Sequence, residues 1–196
     1  MAITDDVLTL ADQWHRKGVE LLSLGEYAAA YDAYQQAIDI AGEQGVPWSL
    51  FDAGKCLFHL GHLDEAGEAL QLARDIMPHE LWPYIELAKV YYTQGNSNGA
   101  IETLKAAIQR PDAHITAGDY VTVGQVFFLF DNLQLARAYF QEALYRDANN
   151  AAAAAGLEQV TTREVTPAPS VQETMFSAHD EKKTKQRGRP RKDTTA

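Results

Sequence analysis

The chain has 196 residues, of which 46% are hydrophobic, so it is long enough to bury one core or one short array of repeats. Its net charge is −10, but residues 1–179 carry 24 acidic and 10 basic side chains, whereas residues 180–196 carry three and seven. The acidic part argues against direct binding of nucleic acid or anionic membrane, which leaves only the basic end for such contacts.

The amino terminus lacks the basic and apolar regions of a signal peptide, and no apolar run approaches the ~18 residues that span a bilayer. The single cysteine, Cys56, allows no intramolecular disulfide, which suits a reducing compartment. We therefore expect a cytoplasmic protein without a membrane partner.

Small residues recur within apolar stretches at spacings of 36, 34 and 36 residues; they are Gly18, Gly54, Ala88 and Gly124. An alanine follows each of them after twelve residues and another after a further seven, with a bulkier residue between the two. These bulkier residues are Tyr34, Leu70, Leu104 and Phe140. Seven residues after each small residue stand Gly25, Gly61, Gly95 and Asp131.

This pattern predicts pairs of antiparallel helices, because small residues allow two helices to cross closely and bulkier ones fill the space beside the crossing. A glycine or aspartate ends each first helix, and the pairs stack because none can bury its apolar face alone. The predicted helices cover 5–24, 27–41, 48–60, 63–76, 81–94, 97–109, 117–130 and 133–146. The alanine-rich residues 149–163 predict a capping helix. The fold is thus predicted to be an all-α helix-pair solenoid of four repeats over residues 1–163.

The stretch GEYAAAYDAYQQA, from Gly25 to Ala37, resembles the pattern of the tetratricopeptide-repeat family. Pro78 and Pro111 lie near the positions where that family often has proline after a second helix. The resemblance covers residues 11–150 and implies a helix-pair solenoid that binds other proteins.

The first helices of such a solenoid line its concave face, and one side of each helix carries residues at fixed offsets from the small residue. The candidate peptide-binding residues on that side are Trp48, Phe51, Lys55, Phe58, Trp82, Ile85, Lys89, Tyr92, Val121 and Phe128. Aromatic anchors and exposed apolar patches are typical of binding sites, so we expect an extended or helical peptide with apolar side chains. The alternative is that some of these rings pack between neighbouring repeats.

Lys55 and Lys89 flank this groove and are expected either to hold carbonyl or acidic groups of the ligand or to remain solvated. Repeat proteins that bind the carboxylate tails of heat-shock chaperones have a basic and asparagine clamp on this face. This chain has Asp52 and Glu86 at two of those places and Trp82 at another, which argues against that class of ligand.

The segment PWSLFDAGKCL, from Pro47 to Leu57, and the following GHLDEA, from Gly61 to Ala66, resemble a repeat of the class II type III secretion chaperones. Those are small, acidic, cytoplasmic tetratricopeptide proteins. The resemblance implies that the groove holds an extended apolar segment of a translocator subunit before export.

Residues 164–196 are predicted to be a disordered tail, because proline breaks helix near its start and few apolar residues follow. Its segment 185–192, KQRGRPRK, resembles an AT-hook, which binds the narrow minor groove of A·T-rich DNA. The candidate DNA-binding residues are Arg187, Gly188, Arg189, Pro190 and Arg191. The alternatives are a solubilising tail and docking on an acidic surface.

Cys56, His59 and His62 are spaced three apart, but a zinc site needs about four ligands, so we expect no metal site there. No phosphate-binding loop or Ser/His/Asp motif is recognisable, and we expect neither enzymatic activity nor a cofactor. Three functions remain open: a chaperone or scaffold for an apolar client, a DNA-associated adaptor, and a structural subunit whose groove is filled by a second copy in a homodimer.

Overall fold

The computed structural model describes residues 5–43, 46–110 and 114–165, which form nine helices and no strand. The helices are α1 (Asp5–Ser23), α2 (Tyr27–Ala41), α3 (Pro47–Leu60), α4 (Leu63–Ile76), α5 (Trp82–Thr93), α6 (Ser97–Ile108), α7 (Ala117–Leu129), α8 (Leu133–Arg146) and α9 (Ala151–Val165). The eight predicted repeat helices agree with these bounds to within one residue, and α9 runs two residues beyond the predicted capping helix. Described residues up to Leu157 belong to one compact unit, and those from Glu158 belong to a second.

Each first helix packs against the second helix of its own repeat, and α2 and α4 also pack against the first helix of the next repeat. At the crossings, a Cβ atom on Gly18 would lie 2.5 Å from Cε1 of Tyr34, and one on Gly124 would lie 2.9 Å from Cδ1 of Phe140. These distances are shorter than van der Waals contact. They confirm the prediction that small residues stand where the helices of one repeat cross.

The turns that end the first helices adopt left-handed backbone conformations. Gly25, Gly61 and Gly95 have φ angles of 77°, 85° and 80°, and Asp131 at the same position of the fourth repeat has 56°. Left-handed backbone disfavours most side chains, although aspartate tolerates it better than most. The turn position predicted from the repeat pattern is therefore confirmed in all four repeats.

The beginning of α9 lies against the last repeat. Gly156 faces the ring of Phe140, since a Cβ atom there would stand 2.6 Å from Cε1 and Cζ. Phe140 consequently packs between two glycines on two helices, Gly124 of α7 and Gly156 of α9, and only 1% of its surface remains exposed. This arrangement confirms the predicted capping role for the start of α9.

Arg110 is buried at the junction of the third and fourth repeats, where α6 packs only sparsely on α7. Its Nε donates to the carbonyl of His79 at 2.8 Å, its Nη1 donates to the carbonyl of Ala107, and its Nη2 lies 3.3 Å from Oδ1 of Asp119. Oδ2 of Asp119 accepts from the backbone N–H of Thr116 at 2.8 Å, while the Thr116 hydroxyl accepts from the Asp119 N–H. A capping box at the start of α7 thus holds the carboxylate that pairs with the buried guanidinium.

Candidate peptide-binding groove

The candidate groove is lined by one side of each first helix. Residues at the same offset from the small residue of each repeat form a row along it, and the exposed fraction of the side chains differs between these rows. Trp48 and Trp82 lie six residues before the small residue of their repeats and remain 40% and 49% exposed. Phe51, Ile85 and Val121 lie three residues before it and retain only 6%, 1% and 6% of their surface. The second set therefore forms the floor beneath the groove, whereas the two tryptophans stand at its surface.

The row four residues after the small residue is partly open. Tyr92 is 38% exposed, and Phe58 and Phe128 are half-buried. Phe58 also packs against the core of the second repeat. Six of the predicted groove residues are aromatic. Five of these six rings are half-buried or exposed, and the sixth, Phe51, belongs to the core.

Two of the exposed rings are held by other aromatic rings. Trp48 meets Phe51 edge-on, with ring centroids 5.6 Å apart and planes at 89°. Tyr92 stacks on Phe130 at 4.1 Å, and its hydroxyl donates to the carbonyl of Phe130 at 3.2 Å. Because these contacts orient the rings before a ligand arrives, binding would cost less side-chain entropy.

Both groove lysines are paired with the carboxylate three residues before them. Nζ of Lys55 lies 2.9 Å from Oδ1 of Asp52, and Nζ of Lys89 lies 2.8 Å from Oε1 of Glu86. The Lys55 ammonium also stands 5.1 Å from the ring centroid of Phe51. Each pair has no net charge, so α3 and α5 present a neutral surface although the chain as a whole is acidic.

A cavity of about 380 Å³ opens beside Trp48, between α1 and α3. It is lined by Leu8, Asp12, His15, Val46, Pro47, Trp48 and Ser49. Nδ1 of His15 lies 3.0 Å from Oγ of Ser49, which links the two helices. Mostly apolar walls with a few polar atoms are typical of sites that accept a ligand side chain. The repeat pattern does not predict this cavity, although Asp12 and His15 stand at the same offsets from Gly18 as Trp48 and Phe51 from Gly54.

Cys56 and Tyr34 are fully buried beneath the groove. Burial, followed by the negative charge of Asp52, raises the pKa of Cys56 from its ordinary 9.0 to about 11. Burial and the same carboxylate also raise the pKa of Tyr34, whose buried hydroxyl has no hydrogen-bond partner among the described residues. Both groups are thus held in their neutral forms.

The raised pKa of Cys56 predicts a loss of stability in alkali. Above pH 9 the thiol ionises in the unfolded chain but stays protonated in the native one, so its contribution falls as the pH rises towards about 11. At pH 10.5 this loss should reach about 2 kcal/mol. Urea unfolding at pH 7.5 and 10.5 would measure it, with Cys56→Ala losing about 2 kcal/mol less than the wild type between the two values. An equal loss of stability in the wild type and in Cys56→Ala would contradict a raised pKa of the Cys56 thiol.

The other residues weighed for metal binding have different partners. The ring of His59 stacks on Tyr27 at 4.3 Å, and Nδ1 of His62 lies 3.1 Å from Oε2 of Glu65. Within residues 5–43, 46–110 and 114–165, no group of three or more His, Cys, Asp or Glu side chains could hold a metal ion.

None of the helices in these ranges combines the length and the apolar character needed to cross a membrane.

The candidate DNA-binding residues lie outside the described residues. These are Arg187, Gly188, Arg189, Pro190 and Arg191. DNA binding by this segment therefore stays a prediction from the sequence.

Comparison with known families agrees with the repeated helix pairs. Residues 11–44 and 83–114 match the family model of the tetratricopeptide repeat. Together with the fold, this match shows that these two segments are tetratricopeptide repeats. Proteins of this family are generally non-enzymatic binding modules, and the chain is a protein-interaction or scaffold module of this class.

Among individual proteins, the chain is 29% identical over 100 residues to the BBSome complex member BBS4 of Bos taurus, an alignment of 50% of this chain and 18% of that protein. The chain thus spans less than a fifth of this relative's length. The crystal structure of MamA protein aligns with a TM-score of 0.55 and 16% identity, covering 97% of this chain and 100% of that one. Cut9–Hcn1, a hetero-tetramer of the APC/C, aligns with a TM-score of 0.55 and 17% identity, covering 75% of this chain and 29% of that one. Both structural similarities concern the fold alone.

Proposed function

We propose that the chain is a non-enzymatic chaperone or scaffold that holds an apolar segment of a client protein in the groove formed by α1, α3, α5 and α7. The carrying observation is that Trp48 and Trp82 occupy the same position in consecutive repeats and remain 40% and 49% exposed. Tryptophan is enriched among binding hot spots, and burying its large apolar surface favours association. Two such rings in one row would hold two apolar side chains of the same segment.

The charges of the groove support an uncharged client segment. An acidic segment would meet lysines that are already paired, and a basic one would meet carboxylates that are already neutralised. Separating either pair would cost part of its interaction, without the benefit of an unpaired charge on the protein. An apolar segment instead covers Trp48, Trp82 and Tyr92 and leaves both ion pairs intact.

Selection of random 12-residue peptides on the full chain tests this proposal. We expect the selected peptides to be apolar and uncharged, and we expect their affinity to fall at least about tenfold in Trp82→Ala, because truncating a hot-spot ring costs about 2 kcal/mol. Fluorescence anisotropy of labelled peptides would measure the affinity.

Tyr145→Ala is the matched control for the peptide experiment, since Tyr145 is an aromatic residue that is 86% exposed and lies on α8, outside the groove. Its affinity for the peptides should equal that of the wild type. Highly charged peptides, or equal losses in Trp82→Ala and Tyr145→Ala, would rule out a groove that selects apolar segments.

A narrower form of the proposal rests on the resemblance of Pro47–Ala66 to class II type III secretion chaperones. In that form the protein acts in the cytoplasm, and its client is an apolar segment of a translocator subunit. Capture of the full chain's partner from its native host, with Trp82→Ala as the binding-deficient control, would identify the client. A client that is not an exported protein would exclude this form while leaving the chaperone proposal intact.

The basic segment 185–192 supports a second candidate function, an adaptor whose repeats recruit a protein while its tail contacts A·T-rich DNA. A single hook should bind weakly and with strong salt dependence. A gel shift with an A·T-rich duplex at ~0.15 M salt, with and without residues 180–196, distinguishes the adaptor from the chaperone. A shift that disappears on truncation supports the adaptor, and no shift in either form excludes it.

The third candidate is a structural subunit in which a second copy fills the groove. It is favoured only by the same exposed rings, which a symmetric partner could also cover. Sedimentation of Trp82→Ala and Phe58→Ala distinguishes it, because an unchanged mass in both variants counts against assembly through the groove.

A further inference from the structure

The first repeat exposes a face that is covered in the second repeat. We call this face the end face; on α1 it contains Trp14 and Leu21, four residues before and three residues after Gly18. Leu50 and Leu57 of α3 stand at the same offsets from Gly54. Leu50 and Leu57 are 6% and 8% exposed, and Tyr31 and Ile38 of the preceding repeat pack against their cluster. A solenoid repeat therefore uses this face to stack on a neighbour.

In the first repeat the same face is only half-buried, at both Trp14 and Leu21. Two cavities, of about 550 and 320 Å³, lie along it. The larger is lined by Trp14, Lys17, Leu21, Ala29, Asp32, Ala33, Gln35 and Gln36, and the smaller by Leu10, Gln13, Trp14 and Lys17. Leu10 at its edge is 47% exposed. The end face thus joins apolar surface from α1 with alanines and polar residues from α2.

The charges on the end face indicate what covers it. Lys17 lies with Nζ 4.7 Å from the ring centroid of Trp14, and neither Lys17 nor Asp32 forms an ion pair within the described part of the chain. Among the residues that line the two cavities, each copy therefore presents one base and one acid around an apolar centre. A patch of this kind is complementary to itself when a twofold axis brings two copies together.

We propose that a second copy of this chain covers the end face, so that the protein forms a twofold symmetric dimer through its first repeat. Trp14 and Leu10 of both copies form the apolar centre, and Lys17 of each copy pairs with Asp32 of the other. The end face and the groove lie on roughly opposite sides of α1, given 100° per residue in a helix. The dimer therefore leaves Trp48 and Trp82 accessible, and it does not depend on the proposed client.

Sedimentation equilibrium of the full chain tests the dimer. We expect twice the chain mass of 21.7 kDa for the wild type at micromolar concentration. Lys17→Glu and Asp32→Lys should each weaken association at least about tenfold, since like charges then face each other across the axis. The double variant Lys17→Glu with Asp32→Lys should restore it, because the exchanged charges are again complementary.

Leu129→Glu is the control, since Leu129 is 70% exposed on α7 and should leave the mass unchanged. Circular dichroism of each variant would verify that its helices are intact. A monomeric wild type, a dimer that Lys17→Glu does not weaken, or a double variant that stays monomeric would each overturn the proposal.

Discussion

Replacement of Asp119 by alanine is expected to destabilise the protein by about 3–4 kcal/mol, because it leaves a buried guanidinium without its carboxylate and removes the carboxylate half of the capping box of α7. The side chain of Arg110 is only 4% exposed and that of Asp119 15%, so water cannot replace the lost partner fully. Breaking a buried ion pair by removing one member costs about 3 kcal/mol or more, and the loss of the hydrogen bonds that Asp119 accepts from Thr116 adds up to about 1 kcal/mol.

Urea unfolding followed by circular dichroism would measure this loss. Because α6 packs sparsely on α7, we also expect faster hydrogen exchange in α7 and α8 than in α2 and α3. Adding Arg110→Met to the Asp119→Ala variant should recover part of the stability, since it removes the unpaired charge. A loss below about 1 kcal/mol, typical of a surface substitution, would show that Arg110 does not depend on Asp119.

Replacement of Phe140 by alanine should cost about 3–5 kcal/mol, the range for truncating a buried aromatic ring. Phe140 is 1% exposed and packs between Gly124 of α7 and Gly156 of α9. Neither glycine has a side chain that could move into the space, so most of the cavity should persist. Thermal or urea unfolding would measure the change.

Tyr145→Ala provides the comparison for Phe140→Ala, because it truncates another ring of the same helix that is 86% exposed. Its effect should stay within about 0.5 kcal/mol. Similar losses in the two variants would mean that Phe140 does not fill the junction of the last repeat with the start of α9.

The limits of the repeat helices, their pairing and their turns could all be predicted from the sequence. Each depends on short-range features: Gly18 opposite Tyr34, or a residue such as Gly61 that accepts a φ angle of 85°. These features occur four times at spacings of 34 to 36 residues, so the helix limits and the turn of one repeat predict those of the others.

The exposure of the groove residues was decided by the tertiary structure. Trp48 and Phe51 are three residues apart on one side of α3, and the sequence assigns both to the groove. Stacking leaves Trp48 exposed and packs Phe51 into the core with residues from the neighbouring helices. The difference depends on how consecutive helix pairs rotate against each other, which the pattern within one repeat does not specify.

Arg110 shows the same division between local pattern and long-range contact. It stands where the first two repeats have Ile40 and Ile76, so a charge at that position was visible in the sequence. Its partners were not, because the carbonyl of His79 lies 31 residues away along the chain and Asp119 belongs to the next repeat. The sequence by itself determined the helix pairs, since backbone conformation and close crossing are local. Only the tertiary structure decided which rings face solvent and which charges are buried, since both depend on contacts between repeats.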